Sequence, residues 1–273
     1  MGKSAVFYKL ATPAAPTVSN TDGGIKISWK PVSGAARYAL FYKAAGDKSW
    51  TKIGSTTATD YVWKKAKSGT DYTFTVRCVS ADKKTYTSAY DTKGTGIRRL
   101  AQPRISKFEA NNAGLKIAWK AVAGADYYRV YYKTANGWKK LAQTNGTSAV
   151  INAKLSKTYT YTVRAFGGGS SSSYDAAGSA FQRLAAPELI SVANAQGGVR
   201  IQWTGVSGAA KYRVYCKTGS GGWKKIGDTS STGFLWTGAK SGVTYTFTVR
   251  CLTDNAKSYA SGYDSSGLRI KAK

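Results

Sequence analysis

The chain has 273 residues, 41 Lys and Arg against 13 Asp and Glu, a net charge of +28 and no His. Lacking His, it is without the commonest group for proton transfer near neutral pH and for metal ligation. No apolar run approaches the roughly 18 residues of a membrane span, and the charge turns any surface binding towards polyanions. With 42% hydrophobic and 13% aromatic residues, many of them Tyr, and few Leu or Glu, the composition suits strands with a real core.

From the N-terminus, MGKSAVFYK at 1–9 reads as strand-like, and LATP at 10–13 opens the first of three similar segments. IKISWKPVSGAARYALFYK at 25–43 returns as LKIAWKAVAGADYYRVYYK at 115–133 and as VRIQWTGVSGAAKYRVYCK at 199–217. Trp29, Trp119 and Trp203 mark the period, 90 residues and then 84. A second Trp follows in each copy (Trp50, Trp138, Trp223), then YTFTVRCV at 72–79, YTYTVRAF at 159–166 and YTFTVRCL at 245–252. Each copy closes through SAYDTKG, SSYDAAG or SGYDSSG, and LAQP at 100–103 and LAAP at 184–187 punctuate the repeats. Short alternating segments split by turn residues predict an all-β chain of sandwiches.

These motifs resemble fibronectin type III modules: a Trp on the second strand, a Tyr-x-Val-Tyr third strand and a Tyr opening the sixth. The resemblance implies three tandem immunoglobulin-like β-sandwiches at 10–100, 101–184 and 185–273. Residues 1–9 are expected to be the closing strand of a preceding module, since they resemble GSAFQR at 178–183, or else an N-terminal arm. Tyr72, Tyr159 and Tyr245 match the family's tyrosine-corner position. Ala66, Ala153 and Ala239 replace the family's Leu, with Trp63 and Trp236 three residues earlier in two copies and Val150 in the middle one, whose core is expected to pack differently. The likeness is greatest to tandem modules of bacterial surface and secreted polysaccharide-processing proteins. It therefore implies a non-catalytic, extracellular spacer or adhesive array, monomeric and not inserted in a membrane. Its partners would be an anionic cell-wall polymer or glycan, or other domains of a larger parent protein.

No cofactor or metal site is expected. Asp91, Asp175 and Asp264 recur only in the Tyr-Asp turn, where a turn-forming role fits, and GGGSSSS at 167–173 precedes no helix. Alternation points Cys78, Cys216 and Cys251 inward, with Cys216 and Cys251 about four residues apart along neighbouring strands. At about 3.3 Å per residue that is ~13 Å, beyond the ~7 Å reach of a disulfide, so three free thiols are expected.

The candidate site is the other face of the same sheet. Outward positions of the third strand are Phe41 and Lys43, then Arg129, Tyr131 and Lys133, then Arg213, Tyr215 and Lys217. The sixth strand adds Arg77, Arg164 and Arg250. The fourth adds Trp50 and Lys52, Trp138 and Lys140, and Trp223 and Lys225, with Ile53, Leu141 and Ile226 expected in the core. Two readings stay open: rings covering cationic stems, or a platform for an anionic or sugar chain.

Overall fold

The computed structural model describes residues 9–81, 83–254 and 258–273. Nearly all of the 1–9 segment lies outside the described residues. Among the described residues every regular element is a strand. The first unit comprises β1 (Thr17–Thr21), β2 (Gly24–Ser28), β3 (Arg37–Ala44), β4 (Thr51–Thr56), β5 (Asp60–Trp63), β6 (Asp71–Val79) and β7 (Thr95–Arg98). The second comprises β8 (Ile105–Asn111), β9 (Gly114–Trp119), β10 (Tyr127–Thr134), β11 (Gly137–Thr144), β12 (Ser148–Ile151), β13 (Thr158–Gly167), β14 (Ser170–Ser171) and β15 (Ser179–Gln182). The third comprises β16 (Leu189–Ala195), β17 (Gly198–Trp203), β18 (Lys211–Lys217), β19 (Lys224–Thr229), β20 (Gly233–Trp236), β21 (Thr244–Leu252) and β22 (Leu268–Lys271). Each unit is a sandwich of two antiparallel sheets. The first pairs β1-β2-β5 with β4-β3-β6-β7; the second pairs β12-β9-β8 with β11-β10-β13, which β14 and β15 extend; the third pairs β16-β17-β20 with β19-β18-β21-β22.

The alternation in β6 explains why the fold forms. Tyr72, Phe74, Val76 and Cys78 point inward and are buried, pairing in register with Ala44, Tyr42, Leu40 and Tyr38 of β3. Tyr245, Phe247, Val249 and Cys251 do the same in the third sandwich. Cys216 lies opposite Phe247 and Cys251 opposite Tyr212, which leaves the two cysteines four positions apart. All three thiols are free and buried, and burial raises their pKa, to about 11 for Cys251. The opposite sheet contributes Trp29, Trp119 and Trp203, each at most 7% exposed.

Several devices recur at equivalent positions. The Tyr38, Tyr128 and Tyr212 hydroxyls accept the N–H of Val32, Val122 and Val206 at 2.8–2.9 Å, closing the loop before the third strand. Ser88, Ser172 and Ser261 each accept a strand N–H at 2.9 Å, from Cys78, Ala165 and Cys251. In all three turns the aspartate accepts a backbone N–H two residues on, Asp91 from Lys93, Asp175 from Ala177 and Asp264 from Ser266, so the turn role fits all three. At Gly24, Gly114 and Gly198 a Cβ would collide with the carbonyl oxygen of Trp63, Ile151 or Trp236, so only glycine lets the second strand meet its neighbour.

The middle sandwich departs from the other two, and two expectations need correction. The position equivalent to Trp63 and Trp236 is Ile151 rather than Val150. Ile151 pairs with Leu115 as Trp63 pairs with Ile25 and Trp236 with Val199, while Val150 faces out, 51% exposed. The tyrosine corner forms at Tyr72 and Tyr245, whose hydroxyls accept the N–H of Lys67 (3.0 Å) and Lys240 (3.1 Å). Among the described residues Tyr159 makes no such bond. Nine residues separate Trp63 from Tyr72 and Trp236 from Tyr245, but only eight separate Ile151 from Tyr159, and no indole presses the ring into the corner. Phe108 instead stacks on Phe181 at 4.9 Å and leans on Tyr161 at 5.7 Å, restoring aromatic volume to this core. Burial, with help from Tyr159, pushes the Tyr161 phenol up to about 12.

The sandwiches are joined by hydrogen bonds as well as by chain. Asn20 Nδ2 donates to Ser171 O (3.1 Å), Ser68 Oγ to Ala123 O (3.0 Å) and Arg98 N–H to Ser170 Oγ (3.0 Å), while Arg104 bridges Asp22 and Asp175. At the second junction Ala110 N–H donates to Tyr259 O (2.9 Å), Leu184 N–H to Ala260 O (2.8 Å) and Tyr263 N–H to Asn112 Oδ1 (2.8 Å). Buried side chains of the second and third sandwiches form one continuous cluster. A Cβ at Gly262 would strike Asn112 Oδ1, so Gly262→Ala is expected to loosen this junction without unfolding either sandwich. Limited proteolysis should then cut near residues 184–187 at least severalfold faster, with unchanged circular dichroism; an unchanged cutting rate would refute the junction's dependence on this contact.

Candidate functional site

The outward face of the larger sheet carries the candidate residues, and the bulge after Leu40, Val130 and Val214 sets their alignment. It brings Phe41 opposite Lys52, Tyr131 opposite Lys140 and Tyr215 opposite Lys225. The residues at the bulge are Ile53, Leu141 and Ile226. Ile53 and Ile226 pack against the core as expected, but Leu141 is 42% exposed, because the small Ile151 leaves an open groove beside it.

In the first sandwich Phe41, Trp50, Thr75, Arg77, Tyr86 and Tyr90 enclose a pocket of about 190 Å³. In the third, Tyr215, Trp223, Thr248, Arg250, Tyr259 and Tyr263 enclose one of about 200 Å³. The two sets are equivalent position by position. Tyr86, Tyr90, Tyr259 and Tyr263 escaped the sequence reading, because they lie on the loop after the sixth strand rather than on a strand. The loop folds back on the strand end through the bridges Val79↔Tyr86 and Leu252↔Tyr259, and that carries its tyrosines over the sheet.

The guanidiniums form the floor. Arg77 lies 4.1 Å from the Tyr86 ring centre and 5.2 Å from that of Tyr90, and donates from Nε and Nη2 to Ser88 O. Arg250 lies 3.6 Å from Tyr259 and 5.3 Å from Tyr263, donating to Ser261 O and, across the junction, to Ala110 O at 2.6 Å. Burial lowers the Arg250 pKa from the usual arginine value. Thr75 and Thr248 donate to Asp91 O and Asp264 O. Lys43 sits 5.0 Å over Trp50 and Lys217 4.6 Å over Trp223. The cations therefore serve as struts for the rings, which are left preorganised around an open, mostly apolar hollow.

In the middle sandwich this space is filled differently. Phe166 stacks on Tyr127 with centres 5.0 Å apart and planes 2° apart, Arg129 lies 4.5 Å over Phe166, and Arg164 lies between Phe166 and Tyr174. Trp138 meets Tyr174 edge-on and stands across the ladder from Lys133. The loop here runs ten residues from Arg164 to Tyr174, against thirteen from Arg77 to Tyr90, so it has no counterpart of Tyr86.

The third sandwich adds a carboxylate beside the expected cations. Asp228 takes a bidentate pair from Arg213 (2.7 and 2.9 Å) and a further bond from Lys225 (2.9 Å), so neither cation is free for a polyanion. Arg213 holds the Asp228 carboxyl down to about 2 against the opposing effect of burial, with Lys225 assisting. Nearby, the Tyr215 and Tyr259 hydroxyls share a 2.5 Å hydrogen bond. Burial and that bond raise the Tyr215 pKa, whereas for Tyr259 burial is outweighed by the Tyr215 bond and the two guanidiniums.

No family model matches the chain. Among solved structures, the FN1–FN3 domains of chicken CNTN1 align over 97% of this chain and 99% of that one, at 13% identity and a TM-score of 0.35.

Because the folded pKa of Asp228 lies below its ordinary 3.8, its contribution is fully present above about pH 4 and is lost as pH falls towards 2. Asp228→Asn should remove about 1–2 kcal/mol of third-sandwich stability at pH 6, after allowance for partial exposure, and almost none at pH 2. Equal destabilisation at both pH values in urea titrations would refute the assignment.

Proposed function

We propose that this chain is a non-catalytic, extracellular array of β-sandwich modules at 10–100, 101–184 and 185–273, a semi-rigid spacer whose first and third modules hold a carbohydrate ring. The bacterial surface setting follows the resemblance in the sequence. The observation that carries the binding role is the repetition of one ring-lined pocket, at the same six positions and nearly the same volume, in two modules. Its size suits a single sugar ring. Its rings offer faces for the sugar's C–H bonds, and its tyrosines carry hydroxyls for the sugar's own. A cationic ligand is disfavoured, since Arg77 and Arg250 already occupy ring faces. Direct polyanion capture by this face also finds less support than the sequence suggested, because Arg77, Arg213, Lys225 and Arg250 are committed to protein oxygens.

The spacer role draws on the junctions, where at least four polar contacts each and, at the second, a shared core oppose free swivelling. Among the described residues no helix is long and apolar enough to cross a membrane, and no group of three or more metal-ligating side chains occurs.

A glycan array of neutral and acidic oligosaccharides, followed by calorimetry, tests the reading. Neutral sugar binding should persist from about 50 to 500 mM salt, and Trp50→Ala and Trp223→Ala should each weaken it about 3–10-fold, at 0.5–1.5 kcal/mol per stacked ring. Thermal unfolding of both variants guards against a packing effect. Binding confined to anionic chains, and lost at high salt, would overturn it.

A further inference from the structure

A separate groove runs along the open edge of the first sandwich, between β4 and the turn that follows β5. At about 890 Å³ it is more than four times the volume of either ring-lined pocket, too large for one sugar ring. Tyr61 and Trp63 lie along it, and four lysines line its walls: Lys52 from β4, and Lys64, Lys65 and Lys67 from the turn. The one carboxylate present, Asp47, is engaged by the Ala44 N–H at 2.9 Å. Among the described residues none of the four ammonium groups takes part in an ion pair, although Lys26, on the adjacent strand, is paired with Asp60. Four unpaired like charges on one cleft repel one another and oppose folding, so their concentration calls for a counter-charge from outside.

The other two sandwiches act as internal comparisons. The equivalent groove of the second is about 380 Å³, with only Lys154 and Lys157. In the third, Thr237 and Gly238 follow Trp236 where Lys64 and Lys65 follow Trp63, and Lys225, the counterpart of Lys52, is paired with Asp228. The charge is thus a property of this one groove and not a requirement of the fold.

We propose that the groove of the first sandwich binds a linear phosphate polymer. Ammonium groups on opposite walls can each reach a different non-bridging oxygen of a tetrahedral phosphate, whereas a planar carboxylate turns both oxygens to one side. Lys supplies compact point charges on flexible stems, which can follow successive phosphates along a mobile chain. The volume admits several repeat units, and the aromatic residues meet the carbon spacers between phosphates. This site is independent of the sugar-ring reading, since its lining shares no residue with the ring-lined pocket of the same sandwich.

Fluorescence anisotropy of labelled poly(glycerol phosphate) with the full chain, titrated with salt, tests the proposal. Lys64→Thr combined with Lys65→Gly introduces the residues that the third sandwich tolerates at these positions. The pair should weaken binding at least 10-fold near 50 mM salt and reduce the log–log salt slope by about 1.4, at ~0.7 per phosphate contact on a flexible strand. Lys30→Thr combined with Lys139→Thr removes the same charge from exposed positions elsewhere and should change affinity less than twofold. Equal losses from the two pairs, or no binding by the parent chain at low salt, would overturn the site. Heparin or polyglutamate competing as well as the phosphate polymer, per charge, would overturn the ligand class.

Discussion

The pairing of the third and sixth strands governs almost everything else in each sandwich. Leu40 meets Val76, Val130 meets Val163 and Val214 meets Val249 across the ladder, all of them buried. Since side chains alternate along a strand, fixing those pairs in the core fixes every neighbour on the outer face. A slip of one residue would place Arg77, Arg164 or Arg250 in the interior. The apolar inside thus positions the ring-and-cation outside, and fold and candidate site are two faces of one register.

That coupling explains what could be read from the amino-acid sequence. Strand positions obey the two-residue period, so the inward thiols, the four-residue separation of Cys216 and Cys251, and the outward placement of Phe41, Trp50, Arg77, Tyr215, Trp223 and Arg250 were all legible. Positions on loops have no such period. Tyr86 and Tyr259 wall the pockets through a fold-back that depends on loop length, and the three-residue shortening that removes their counterpart from the middle sandwich leaves no mark on the strands. Val150 was misplaced because counting back from Ala153 assumes equal loops, and one missing residue shifts the count onto Ile151. Asp228 was missed for a different reason: nothing local marks it as the partner of Arg213, fifteen residues earlier, until the ladder sets them opposite each other.

The two pockets are built alike but held differently. In the first sandwich Arg77 is anchored wholly within its own module, by Ser88 O. In the third, Arg250 also donates to Ala110 O of the preceding module, and Tyr259 O receives the Ala110 N–H. Both backbone groups of Ala110 in the middle sandwich thus serve the junction and at the same time hold residues that line the third pocket. The continuous core of the second and third sandwiches agrees with this: they share more than a linker, whereas the first keeps a core of its own.

The odd middle core bears on how such a chain reaches its native state. Tandem modules with near-identical strands can exchange them while folding, trapping the chain in a misassembled form. Here YTFTVRC is shared by the first and third sandwiches, and both set a Trp edge-on to the Phe of that strand, Trp63 to Phe74 and Trp236 to Phe247. The intervening sandwich uses Ile151, Tyr161, Phe108 and Phe181 instead. Its sixth strand, transplanted into a neighbour, would drive a phenol hydroxyl into the space of Phe74 against a Trp already there, and the reverse exchange would leave a void beside Phe108. Adjacent units are therefore mismatched partners for swapping, and the two that share the sixth-strand sequence are kept a full module apart.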